Sequence, residues 1–162
     1  MKKLFIFLFT ACTAISWAQD MSKKDAPEFI VEMADSRMAT REAARIGSSL
    51  GTTKEMRDFA SQLMNDEDSM LGKIKQLASS KGITLPNAIS DKKAKVIKKL
   101  AKLTGKKFDK NFLKALIASH KRDIRWFKNA ADYQDSATRD FAAANMSMLE
   151  SHLARAKSLK KM

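Results

Sequence analysis

Three residues have the type and placement to do chemistry: Glu67, His120 and His152. The two histidines are the only ones in the chain. His120 lies three positions after Ile117 and four before Ile124, and His152 lies between Met148, Leu149 and Ala156. Both therefore fall on apolar stripes of helical period. Glu67 follows Leu63 by four and Met64 by three and precedes Leu71 by four, so it too interrupts a buried stripe. A buried ionised carboxylate is costly unless it is paired or ligating. One reading is a mononuclear site in which two imidazoles and a carboxylate hold an iron, zinc or copper ion, with water or an acid from the first helix completing it. The other is a metal-free network in which Glu67 pairs with a histidine and sets helix register. They differ in charge: a ligating histidine is neutral, whereas a carboxylate–histidine pair favours the imidazolium.

The three residues must sit at one height to meet. Counted from a turn near Gln134, His120 is about 14 residues back and His152 about 18 forward, an offset of roughly 6 Å at 1.5 Å per residue. Glu67 lies about 16 residues beyond a turn near Gly51, also mid-helix. In the first helix Asp35 has a matching height, Glu32 is one turn away and Glu42 lies nearer the turn; none falls clearly on the inward face. A di-iron carboxylate pair is excluded, because it needs Glu-x-x-His on two helices and Ile117 and Leu149 occupy the places three before the histidines. His120-x-x-Asp123 is the reversed spacing. Methionines such as Met33, Met64, Met70 and Met148 could suit copper(I), but at helical spacing they read as core filler. No Gly-x-Ser-x-Gly, glycine-rich phosphate loop or catalytic cysteine pattern occurs, so the sequence supplies no basis for an enzyme.

The elements that must position these residues are helices. A first runs from about Ala26 to Ser49, with Asp25 as N-cap and a stripe of Phe29, Met33, Thr40, Ala44 and Gly47, whose small members admit a close neighbour. A second runs from about Thr53 to Lys81, opened by the capping-box spacing Thr52-x-x-Glu55 and closed by Gly82. A short helix covers roughly Ser90 to Leu103, with Ile97, Leu100 and Leu103 inward. The next is expected to be capped by Asp109, with a staple between Phe108 and Leu113, and to run to about Tyr133. Asp135 or Ser136 opens the last. Short connections within the first and last pairs and a long one between them predict an all-α, ferritin-like four-helix bundle: two antiparallel hairpins joined by a crossover containing a short helix.

Composition agrees with one such domain. The 162 residues include five glycines, two prolines and a single cysteine, which excludes an intrachain disulfide framework and cysteine-based metal sites and argues against a dinucleotide-binding fold. Residues 1–18 read as a secretory signal: Lys2 and Lys3, an apolar run from Leu4 to Phe9, and a small-residue cleavage site ending at Ala18. Residues 19–25 are a polar lead-in, and 26–162 form the bundle. Expected localisation is therefore exported, periplasmic or envelope-associated, with no transmembrane span in the mature chain. The alternative is a lipoprotein anchored through Cys12. Net charge is +13, and residues 91–128 carry 14 basic and three acidic side chains. Lys92, Lys95, Lys98, Lys99, Lys102, Lys106 and Lys107 form one candidate surface for anionic partners: lipid, lipopolysaccharide or acidic glycan. Nucleic acid is not expected as the physiological partner of an exported protein.

Five stretches carry a family resemblance. They are Glu55-Met-Arg-Asp-Phe-Ala-Ser-Gln-Leu-Met-Asn-Asp, Lys81-Gly-Ile-Thr-Leu-Pro86, Phe108-Asp-Lys-Asn-Phe-Leu-Lys-Ala, Ser119-His-Lys-Arg-Asp-Ile-Arg-Trp-Phe and His152-Leu. In this order and spacing they resemble a bacterial exported family of unknown function, domain-of-unknown-function family 4142, over roughly residues 25–160. The resemblance implies a ferritin-like bundle and export, and it implies no activity. Family members often carry a histidine just after the aspartate that Asp66 matches; here that position is Glu67.

Overall fold

The computed structural model describes residues 26–162, of which all regular elements are α-helices. The expected signal sequence (residues 1–18, with Cys12), the lead-in and the expected cap Asp25 lie outside the described residues. Five helices follow in order: α1 (Ala26–Leu50), α2 (Lys54–Ser80), α3 (Asp91–Leu100), α4 (Gly105–Ala130) and α5 (Ser136–Lys161). No helix among them is long and apolar enough to cross a membrane.

Turn chemistry explains where the helices end. Gly82 has φ +64° and follows α2 as the sequence requires. Its N–H donates to the Ser79 carbonyl and the Ile83 N–H to the Ala78 carbonyl at 2.9 Å, the paired bonds that close a helix through a left-handed residue. Two expected caps are displaced. Thr53, not Thr52, caps α2, its hydroxyl accepting from the Met56 N–H at 3.2 Å. Asp109 does not cap α4, because Gly105, at φ +58°, lets that helix begin a full turn earlier behind Thr104. Asp109 instead accepts from the backbone N–H and hydroxyl of Thr52, tying the top of the second hairpin to the turn of the first. Asp135 caps α5 through the Thr138 N–H at 2.9 Å.

α1 packs most extensively on α2 and α4 on α5, and the hairpins meet through α1 against α4 and α2 against α5. The Thr52–Asp109 contact places the start of α4 at the α1–α2 turn. Lys81 pairs with Asp135, placing the start of α5 at the far end of α2. The connection from α2 to α4 therefore traverses the length of the bundle, and α3 rides in it against α1 and α4. This is the two-hairpin arrangement with a long crossover that the loop lengths predict.

The core is split in two. At one end Phe29, Met33, Met70, Ile74, Phe127 and Leu149 pack together, with Phe29 and Phe127 edge to face at 5.2 Å between ring centres. At the other, Ala44, Phe59, Leu63, Phe108, Phe112 and Leu116 do so. Burying each large side chain contributes about 1.5–3 kcal/mol. Between the two clusters lies a layer of buried polar residues: Ser36, Arg37, Glu67, His120, Asp123 and His152.

Candidate metal centre

The polar layer is built from one or two residues per long helix. α1 contributes Ser36 and Arg37, α2 Asp66 and Glu67, α4 His120 and Asp123, and α5 His152. Arg37 is fully buried. Its Nη1 donates to Glu67 Oε1 at 2.9 Å, and its Nη2 donates to Asp123 Oδ2. Asp123 also accepts from Ser36 Oγ at 2.7 Å and, on its other oxygen, from Arg122 at 2.7 and 2.9 Å.

The structure brings Glu67, His120 and His152 together. Each offers a donor atom, and those atoms lie within 4.8 Å of one another. The imidazole rings are 5.5 Å apart, tilted at 68°. Glu67 and His120 are fully buried, and His152 nearly so. The network also assigns their tautomers. His120 Nδ1 faces the Leu116 carbonyl at 3.2 Å. A carbonyl only accepts, so Nδ1 carries the proton and Nε2 keeps a lone pair. His152 Nε2 lies 2.9 Å from Asp66 Oδ2 and donates to it, which leaves Nδ1 as the lone-pair nitrogen. Glu67 Oε1 is taken by Arg37. The remaining acceptor atoms, Glu67 Oε2, His120 Nε2 and His152 Nδ1, are buried without a protein partner, as is the donor Arg37 Nε in the same layer.

Electrostatics hold both rings neutral. Burial, then Arg37 and His152, push His120 down to about 3. Burial likewise lowers His152, outweighing the pull of Asp66. Burial pushes the Glu67 carboxyl up to about 7 against the attraction of Arg37. Asp123 behaves oppositely: burial works to raise it, but Arg37, Arg122 and the hydroxyl of Ser36 hold it below the ordinary range. The guanidinium's charge is thus answered chiefly by Asp123, and Glu67 is the softer of its two acids. Neutral imidazoles with oriented lone pairs beside a carboxylate are what a divalent cation requires of a site.

Two expectations change. Glu67 does not pair with a histidine; its partner is Arg37, and His152 pairs with Asp66 instead. The first-helix acids do not join the cluster. Asp35 is buried but turns to α3, accepting from the Ser90 N–H and Lys93 Nζ at 2.8 and 2.7 Å. Glu32 also takes Lys93, and Glu42 pairs with Arg45. Arg37 is the residue that sequence reasoning missed. A signal existed: it stands four after Met33 and three before Thr40, filling the one gap in the α1 stripe. Lys92, Lys95, Lys98, Lys99, Lys102, Lys106 and Lys107 are all exposed on α3, the turn after it and the first turn of α4.

Comparison with known proteins agrees with the fold. A crystal structure of a DUF305 fragment from Deinococcus radiodurans superposes with a TM-score of 0.74 over 84% of this chain and 95% of that one, at 12% identity. At that identity the likeness speaks to the fold alone. No curated protein sequence matches the chain. A family model described as a domain of unknown function, DUF4142, matches residues 11–159, so the chain belongs to that family.

Proposed function

We propose that this bundle binds a single divalent transition-metal ion, iron, zinc or copper, through Glu67, His120 and His152. The observation that carries the reading is the set of three buried atoms without protein partners on those residues. An unmet buried polar group costs about 1–3 kcal/mol, and three on neighbouring side chains are hard to reconcile with a purely structural network. Support also comes from the second contact of each residue. Leu116, Asp66 and Arg37 occupy the far side of His120, His152 and Glu67, which is how outer groups fix ligands around a metal. Metal bonds of roughly 2.0–2.2 Å would require the donors to draw closer together than their present spread of up to 4.8 Å. Three protein ligands leave a position for water or a small anion.

The test is elemental analysis of the mature protein, purified without a histidine tag, with melting scans in added iron, zinc, copper and manganese. One metal equivalent and a raised Tm, both lost in His120→Ala, are expected. No bound metal and no shift with any ion overturns the reading.

A second reading concerns the surface, in a protein we infer to be exported. Among the described residues the seven exposed lysines make no ion pair. Their concentration supports electrostatic contact with an anionic envelope surface. Binding to anionic vesicles should weaken with salt and in the Lys98→Glu, Lys99→Glu, Lys102→Glu variant; binding indifferent to those changes overturns it.

A further inference from the structure

α3 is fastened at its start by ion pairs and towards its end by Ile97 and Leu100, and a cleft opens beneath it. At its start, Asp35 takes the Ser90 N–H and Lys93, and Glu32 takes Lys93 as well. At its end Leu100 is buried in the core. Beneath the middle runs a cleft of about 720 Å³ between α1, α3 and α4. Its floor is made of short side chains, Ala39 and Ala43 from α1 and Ala115, Ala118 and Ser119 from α4. Its roof and inner end are Val96, Ile97, Leu100 and Phe112. Val96 lines the cleft yet is 46% exposed, one of two large apolar side chains so exposed among the described residues. The space is mostly apolar, and its volume is in the range of small-molecule sites.

The other end of the cleft is charged. Glu32, Asp35, Lys93 and Arg122 line it, together with Lys92. Lys93 is balanced by the two acids, and Arg122 by Asp123. Lys92 is exposed and makes no ion pair among the described residues, and Lys95, Lys98 and Lys99 continue the positive face along α3. An apolar slot beneath a lysine-rich helix matches one ligand chemistry: an alkyl tail with an anionic head.

We propose that the α1–α3–α4 cleft binds one molecule of a single-chain anionic amphiphile, a long-chain carboxylate or alkyl phosphate. The tail lies over Ala39, Ala43 and Ala115 and covers Val96, and the head sits at Lys92. This site is separate from the metal-binding reading, and it narrows the basic-face reading to a defined pocket and ligand.

The test is calorimetric titration with laurate below its micelle-forming concentration. Saturable binding of one laurate per chain is expected, at least tenfold tighter than that of dodecanol, which lacks the charge. Ala118→Trp, at an exposed position, fills the floor, and Val96→Glu sets a charged group against the apolar tail; each should weaken laurate at least tenfold while circular dichroism shows an unchanged melt. Lys92→Glu should weaken laurate several-fold and leave dodecanol unmoved. Absence of laurate binding, binding of several molecules per chain, or binding that survives both cleft variants overturns the proposal. Adsorption to anionic vesicles without laurate binding also overturns it, and leaves the basic-face reading standing.

Discussion

His152 on α5 donates through Nε2 to Asp66 on α2 at 2.9 Å, and Asp66 is the immediate sequence neighbour of Glu67. One turn of α2 therefore supplies both a carboxylate facing the cluster and the carboxylate that turns His152 toward it. Losing such an orienting partner lowers metal affinity about 10–100-fold. Asp66→Ala should show that loss in a competitive chelator titration while one equivalent still binds at saturation. Nitrogen NMR of the His152 ring should report the loss of the single tautomer. Unchanged affinity in Asp66→Ala would detach this pair from any metal role.

Arg37 joins α1 to α2 and α4 by holding Glu67 and Asp123 at once. Removing one partner of a buried ion pair costs about 3–5 kcal/mol, because the charge left behind has no water. Arg37→Leu should lower stability in urea by that amount. Combining it with Asp123→Asn should restore part of the loss, since Asp123 is the acid that stays charged while burial already favours the neutral form of Glu67. Additive losses would show that the two side chains do not interact.

The start of α3 should be acid-sensitive. Burial raises the Asp35 carboxyl, but Lys93 and the Ser90 N–H outweigh it and hold the group below its ordinary value. A carboxyl lowered on folding contributes stability that is fully present above its unfolded value of about 3.9 and is lost as pH falls through the lower folded value. Urea midpoints measured from pH 6 to pH 2.5 should therefore converge for wild type and Asp35→Asn at the acid end, with wild type the more stable near pH 6. A constant gap across the range would remove Asp35 from the acid response.

Two glycines should respond to alanine with opposite signs. A Cβ at Gly47 would lie 3.0 Å from the Ala60 Cβ and 3.1 Å from the Phe112 ring, where α1 meets α2 and α4. Neither neighbour has a flexible end to withdraw, so overpacking of about 1–3 kcal/mol outweighs the gain of about 1 kcal/mol in helix propensity. Gly47→Ala should lower Tm. Gly72 in α2 has nothing within 4 Å of the same atom, and Gly72→Ala should raise stability by up to about 1 kcal/mol. Thermal melts of the two variants check both.

Helix-period stripes, Gly82 and the loop lengths were enough to read five helices and two hairpins from the sequence alone, because helix periodicity and turn residues act over a few positions. The same stripes put Glu67, His120 and His152 on inward faces at similar heights, and distances along straight helices add up reliably. What the stripes could not say is which polar side chain answers which. The capping-box spacing Thr52-x-x-Glu55 points to Thr52, yet Thr53 makes the cap, and Asp109 looks like a cap until Gly105 starts α4 earlier. Arg37 occupies a core position of the α1 stripe, but an arginine there makes sense only once Glu67 and Asp123 approach from two other helices. The cleft beneath α3 is likewise invisible along the chain, since it is the space left when a helix is pinned at both ends. Local order is written in neighbouring residues; charge pairing, tautomers and cavities belong to helices far apart in sequence, and only their packing decides them.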